Sequence, residues 1–307
     1  MARLLGVLCS GRRNGFTASL LEAALQGAAE VEGVETHLLW THRYSYGPCR
    51  SCFACIRRED HTCVQPDDFG MNGTGEVFQL IQGTHGIVLA DPVHNWGPSA
   101  SSRLFVERCY PFVWSGALNG LPFGSISCAS NQGMQMLAAR DLAKWAFGLG
   151  FRYQGCVAAH CAYLEEARRE AVELGRRVAQ AAVQDAEGRQ PFDDEAKYLH
   201  YAREAPWQAL DVYVENLTRG TGRWEQSLIR RGLTQGTFQR PEARALLEEA
   251  LPLLKEALYQ YHHGSREEAT KALVRASALW THATWKEFLE EDVIGVAQPE
   301  AYRPLER

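Results

Sequence analysis

The sequence predicts an α/β fold, a doubly wound five-stranded parallel sheet, followed by an all-α C-terminal extension. Short apolar runs alternate with helix-period apolar patterns from residue 3 to residue 186, the order that builds crossover connections. One run, residues 84–90 (THGIVLA), is continuously apolar at its end, as in a strand buried on both faces of a parallel sheet. Beyond Glu187-Gly188 the alternation stops and only helical patterns remain.

Strand one spans residues 3–9 (RLLGVLC) and ends in a polar, glycine-containing loop, SGRRNGFT, from Ser10 to Thr17. Leu20, Leu21, Ala24, Leu25 and Ala28 then recur at spacings of three and four, one face of a helix. Strand two is Val34 to Trp40, and a cysteine-bearing loop follows it. Phe123 to Cys128 and Tyr153 to Ala158 supply strands four and five. Helices are expected near Ser102–Trp114, Met134–Phe147 and Leu164–Ala186, and GMNGTG at Gly70–Gly75 shortens the helix before strand three. Five strands over about 160 residues suit the flavodoxin-like order 2-1-3-4-5, with a ligand beyond the carboxyl ends of the strands at the switch point. A Rossmann dinucleotide fold is the rival. The first loop lacks G-x-G-x-x-G, and Trp40 and Thr41 stand where an acidic residue would end strand two.

The domain boundaries expected are 1–188 for the α/β unit, with a cysteine-rich loop inserted at 47–66, and 189–307 for the extension. Four helices are expected in the extension: Asp194–Ala205, Pro206–Leu217, Pro241–Tyr261 and Arg266–Leu289. Pro206 and Pro241 suit first helical positions, where a missing N–H costs nothing. Ser265 with Glu268 forms a capping-box pattern, and Pro252 should kink its helix. Leu247, Leu251, Leu254, Leu258 and Tyr261 make one apolar stripe and Ala269, Ala272, Ala276, Leu279 and Ala283 another, as in an antiparallel helical hairpin. Trp207, Trp224, Trp280 and Trp285 are expected as core residues, although a covering role over a substrate pocket stays open.

The chain has 307 residues with 46% hydrophobic content, enough for a substantial core. A formal net charge of −5 gives no basic stripe for nucleic acid, and no apolar run is long enough to span a bilayer. The chain opens without a signal pattern, so a cytoplasmic protein is expected, with nine cysteines that are not a secreted disulfide framework.

Chemistry concentrates in four of those cysteines: Cys49, Cys52, Cys55 and Cys63, spaced Cys-x2-Cys-x2-Cys-x7-Cys. Three thiols at gaps of two with a fourth a short loop away converge on one small object, as iron–sulfur clusters require. A zinc site more often uses two Cys-x2-Cys pairs with a longer insertion; a [4Fe–4S] cluster is the first expectation and zinc the second. The Ser10–Thr17 loop leaves a strand and opens a helix, a place for a phosphate. Ser10, Asn14 and Thr17 add side-chain donors there, and Arg12 or Arg13 adds charge. Strand three ends in ADPVHNWGPSASSR, residues 90–103, which gathers His94, Asn95 and Trp96 where a ligand on the sheet edge would lie. Strand four ends in SCASNQGMQ, residues 127–135, a turn able to clamp a ring's opposite edge. Both loops could equally be ordinary turns.

These residues resemble the iron–sulfur flavoproteins, within the NADPH-dependent FMN reductase branch of flavodoxin-like folds. The resemblance covers about residues 3–165 and rests on SGRRNGFT, the compact cysteine run, Asp67-Asp68 after it, and Asp91-Pro92-Val93-His94 running to Arg103 and Glu107. It implies FMN and a [4Fe–4S] cluster as cofactors. Ser10, Arg12, Asn14 and Thr17 would bind the FMN phosphate. Pro92, His94, Asn95, Trp96 and Gly97 would approach the isoalloxazine, with Ser127, Ser130 and Gly133 on its far side. It also implies a homo-oligomer, dimer or tetramer, in which the cluster of one subunit faces the flavin of another. Electrons would pass from ferredoxin or NAD(P)H to a small-molecule acceptor. His94 is the candidate catalytic proton donor, since imidazole titrates near neutrality; a structural histidine is the alternative. The family commonly has an aromatic at His94 and a lysine at Arg103, and it does not account for the extension. Two other functions stay open: an NAD(P)H-dependent FMN or quinone reductase with a structural zinc, and a non-enzymatic electron carrier or redox sensor.

Overall fold

The computed structural model describes residues 1–290; residues 291–307 of the extension lie outside the described residues. The first part of the chain runs β1 (Ala2–Leu8), α1 (Phe16–Ala29), β2 (Val34–Trp40), α2 (Ala54–Arg57), α3 (Glu76–Gln82), β3 (Gly86–His94) and β4 (Gly97–Pro98). It continues through α4 (Ala100–Arg108), α5 (Tyr110–Ser115), β5 (Pro122–Ala129), α6 (Gln135–Leu149), β6 (Arg152–His160) and α7 (Leu164–Glu187). The five long strands pair in parallel as β2-β1-β3-β5-β6, the expected 2-1-3-4-5 path, and β4 pairs antiparallel with β3.

Burial follows the pleat. Leu4, Leu8, Val88, Ala90, Ile126 and Val157 meet Leu21 and Ala24 of α1 and Ala171, Leu174 and Val178 of α7 in one core. The alternate residues Leu5, Val7, Ile87 and Leu89 point the other way and are also buried, so the central strands are covered on both faces. Helices α1 and α7 approach closely through glycine. A Cβ on Gly27 would strike the Val172 carbonyl, and one on Gly175 would strike the Ala24 carbonyl.

Two elements depart from expectation. β3 runs past Ala90 to His94, because Val93-His94 fold back onto Gly97-Pro98. The helix expected over 102–114 is two helices, α4 and α5, broken at Cys109; Pro111 stands in the first turn of α5, where it cannot continue a preceding helix.

The extension holds α8 (Asp194–Glu204), α9 (Ala209–Thr218), α10 (Leu228–Thr234), α11 (Pro241–His262) and α12 (Arg266–Thr284), then a π-helical turn at Trp285–Leu289. Helices α11 and α12 pack as the expected hairpin through Leu247, Leu254, Leu258, Ala269, Ala276 and Ala283. Three details differ. Pro206 does not open α9, which starts at Ala209. Ser265 makes no side-chain cap bond; its amide donates to the Gln260 carbonyl at 2.9 Å instead. Helix α10 was not expected, its start set by Ser227 Oγ accepting the Arg230 amide at 3.1 Å.

The described residues divide into two compact units: 1–192 with 203–207, and 193–202 with 208–290. Trp207 belongs to the first unit, 5.0 Å from the Phe147 ring, while Trp224 and Trp280 flank the helical core of the second. No helix among the described residues is long and apolar enough to cross a membrane.

Candidate functional site

Three loops meet at the carboxyl edge of the sheet. The first, Ser10–Gly15, leads into α1, a helix of 14 residues whose N-cap Gly15 carries no side-chain bond and whose first turn holds no acidic residue. Its first amides and dipole therefore face the loop uncompensated, a setting that favours an anion. Ser10 is buried and its Oγ accepts the Arg12 amide at 3.2 Å, while Trp40 Nε1 donates to the Ser10 carbonyl at 2.7 Å. Arg12, Arg13 and Asn14 are exposed, with the Arg13 guanidinium 5.7 Å from the Trp40 ring. Thr17 is buried; burial raises the Cys128 thiol at the end of β5, and the Thr17 side chain works against that rise.

The second loop is the β3–β4 hairpin. Pro92 and Gly97 are half-buried, and His94, Asn95 and Trp96 are exposed. Asn95 and Trp96 both take left-handed backbone, φ 49° and 69°, the conformation a two-residue primed turn requires. The third loop, after β5, holds Ser130 and Gly133, with φ 60° at Asn131 and 95° at Gly133. Trp96 Nε1 donates to Gln132 Oε1 at 3.1 Å, so the second and third loops are tied across the edge. Ser127 stands apart from them: it is buried and its hydroxyl donates to the Gln135 carbonyl at 2.7 Å.

The cysteine loop lies between β2 and α3. Cys49, Cys52, Cys55 and Cys63 all line one cavity of about 590 Å³, walled by Phe53, Val64, Val106, Tyr110, Pro111 and Trp145. Ser51 (φ 50°) and Phe53 (φ 56°) are left-handed, so the chain reverses between successive cysteines. Burial pushes the Cys55 thiol up to about 11, and the neighbouring Cys49, Cys63 and Cys52 thiols add to it. A thiolate at Cys55 therefore needs a cationic centre beside it. Four soft sulfur donors in an apolar wall fit an iron–sulfur cluster. Among the described residues no group of three or more His, Cys, Asp or Glu is gathered as a single metal ion would need.

Sequence reasoning missed what holds this loop. Arg108 is buried, its side chain 1% exposed, and forks onto Asp67 at 2.6 and 2.9 Å. The same guanidinium donates to the Gly47 carbonyl at 2.7 Å and to Cys63 Sγ at 3.5 Å. Glu107 accepts the Cys49 amide at 2.8 Å. The end of α4 thus grips both ends of the cysteine loop. Burial works to raise the Asp67 carboxyl, but the Arg108 bonds and charge outweigh it and hold it below its ordinary value. The sequence carried half of this signal in Asp67 and Glu107; Arg108 itself reads as one more helix cation. Helix α4 has 9 residues, so about 13 Å of helix joins the hairpin's base to the cysteine cavity.

A family model described as NADPH-dependent FMN reductase matches residues 2–163. The chain belongs to the NADPH-dependent FMN reductase family. Members are flavin-dependent oxidoreductases, and so is this chain. Among its curated relatives, an iron–sulfur flavoprotein of Archaeoglobus fulgidus is 25% identical over 188 residues, 58% of this chain and 80% of that protein. An iron–sulfur flavoprotein of Methanocaldococcus jannaschii is 29% identical over 130 residues, 42% of this chain and 63% of its own length. Among solved structures, a flavone reductase aligns at 17% identity and a TM-score of 0.46, covering 62% of this chain and 66% of that one. The FMN reductase match ends before α7 completes the fold, and the extension lies beyond it.

Proposed function

We propose that this FMN reductase family member binds FMN at the carboxyl edge of the sheet and a [4Fe–4S] cluster at Cys49, Cys52, Cys55 and Cys63. It would pass electrons from ferredoxin or NAD(P)H to a small-molecule acceptor. The observation that carries the reading is one apolar cavity lined by all four cysteines, on a loop gripped by the same helix that starts beneath the hairpin. Together the two groups would exchange electrons in pairs at one end and singly at the other.

The chain's own residues supply binding and orientation. Ser10, Arg12, Asn14, Thr17 and the open start of α1 take the phosphate. Pro92, His94, Asn95, Trp96 and Gly97 face the ring from the hairpin, with Ser130 and Gly133 opposite and Ser127 bracing the third loop from below. Arg108 holds Cys63 by a hydrogen bond from its guanidinium to the Cys63 sulfur. His94, exposed on the hairpin, serves as proton donor to the reduced acceptor. The names of the curated relatives support the cluster over zinc. A cytoplasmic dimer or tetramer is part of the same reading.

Anaerobic mixing of the purified protein with reduced ferredoxin or NADPH tests it. Flavin and iron–sulfur absorption should both bleach, and an added acceptor should restore them over many turnovers. A Cys52→Ser variant should lose the iron–sulfur band and keep flavin reduction. Colourless protein holding zinc in the cysteine loop would overturn the cluster, and reduction without turnover would make the chain a carrier. A His94→Phe variant with an unchanged rate and pH profile would end the proton-donor role.

A further inference from the structure

Asp91 is fully buried near the end of β3, and among the described residues no cation pairs with it. Its Oδ2 accepts the Ser99 amide at 2.9 Å and its Oδ1 the Ser99 hydroxyl at 2.5 Å. Ser99 is also the N-cap of α4, where its Oγ takes the Ser102 amide at 3.3 Å, and that hydroxyl lies 3.4 Å from the Cys9 carbonyl. One side-chain pair therefore joins the ends of β1 and β3 to the start of α4. The titratable group facing Asp91 is Cys9, with Cys109 behind it; α4 presents Ser99 and Ser102, and β5 presents Ser127 at the paired register position.

What this pair encloses is weakly held by the backbone alone. Between Asp91 and Ser99 lies the hairpin, whose ladder is two residue pairs, Val93 with Pro98 and His94 with Gly97. Pro98 has no N–H to donate. The turn places Trp96 in left-handed backbone, which Asn tolerates and a bulky residue disfavours. Such a turn persists where its surroundings over-determine it. Gln132 pins the tip through Trp96, and the Asp91–Ser99 bonds pin the base.

The geometry assigns Asp91 as a positioning residue of the flavin site: with Ser99 it clamps the base of the 92–98 hairpin and so fixes the backbone that meets the ring. This rests on the reading of the hairpin as the ring-facing wall. An asparagine fits the same clamp, since its carbonyl accepts the Ser99 amide and its NH2 donates to Ser99 Oγ. An alanine leaves the Ser99 amide without a partner and the Ser99 hydroxyl with only the long contact to the Cys9 carbonyl.

The test is flavin binding by full-length apoprotein, with FMN and riboflavin titrated separately by fluorescence quenching. Asp91→Ala should weaken both ligands by the same factor, about tenfold or more, as expected when a charge-assisted hydrogen bond is lost. Asp91→Asn should restore most of the affinity, and Ser99→Ala should fall between them. Equal loss for riboflavin is the decisive feature, because riboflavin lacks the phosphate and reports the ring wall alone. The clamp is overturned if Asp91→Ala binds both flavins like the wild type, if it loses FMN but not riboflavin, or if Asp91→Asn is as damaged as Asp91→Ala. Should Asp91→Ala fail to fold, Ser99→Ala carries the same comparison of the two ligands, and unchanged affinity there overturns the clamp. A wild type that binds neither flavin overturns the ring-site reading and the clamp with it.

Discussion

Arg108 and Asp91 are opposite solutions to a buried charge. Arg108 has a fork partner in Asp67, and removing one member of such a pair strands the other. Arg108→Met should therefore destabilise the protein by about 3–5 kcal/mol and lower the iron retained per chain, read by chemical denaturation and metal analysis. Full stability and full iron would refute its role in closing the cysteine loop. Asp91 has no such partner, and burial pushes its carboxyl from 3.8 up to about 6 against the Ser99 bonds. The folded state holds this proton more tightly than the unfolded chain, so the contribution to stability is complete below about 4 and fades as pH rises through about 6. Asp91→Asn removes that dependence. Its melting temperature relative to the wild type should rise between those pH values, whereas a constant offset would contradict the burial argument. Neither role was legible in the sequence: Asp91 stood out only as part of the run Asp91-Pro92-Val93-His94 that carried the resemblance, and an arginine on a helix is solvated by default.

At the scale of elements, the alternation of apolar runs and helix faces was enough to place all five long strands; the three central ones, β1, β3 and β5, are buried on both faces and have no polar side to confuse the pattern. The hairpin was not legible, since a left-handed tryptophan runs against its own preference and its two-pair ladder is supported by tertiary bonds from Trp96 to Gln132 and from Ser99 to Asp91. The Ser265–Glu268 pattern misled for a related reason, the local motif giving way to a bond from the Ser265 amide to Gln260. Close packing of α1 on α7 is likewise invisible until Gly27 and Gly175 are seen facing carbonyls of the opposite helix. Gly175→Ala should cost about 1–3 kcal/mol through overpacking, although alanine favours an isolated helix over glycine. Denaturant midpoints check this, and a stabilised variant would show that the two helices separate without penalty.

For the whole molecule, the first unit does not close at the end of α7. Asn119 exchanges hydrogen bonds with Phe192 at 2.9 and 3.1 Å, Arg152 lies 3.9 Å over the Phe192 ring, and Trp207 returns to Phe147. A chain ending after Gly188 should thus melt about 5 °C or more below one ending after Trp207, and equal melting would place the boundary at the helix end. The break in alternation after Glu187-Gly188 located the change of architecture, but contacts made by irregular backbone carry no periodic signal. The cysteine run stood out for the opposite reason: its spacing is written in the sequence itself. Iron, sulfide and flavin counted on one anaerobically purified sample of the full chain test the pairing of the two cofactors most directly. About four iron, four sulfide and one FMN per chain are predicted; zinc in place of iron, with or without FMN, would contradict it.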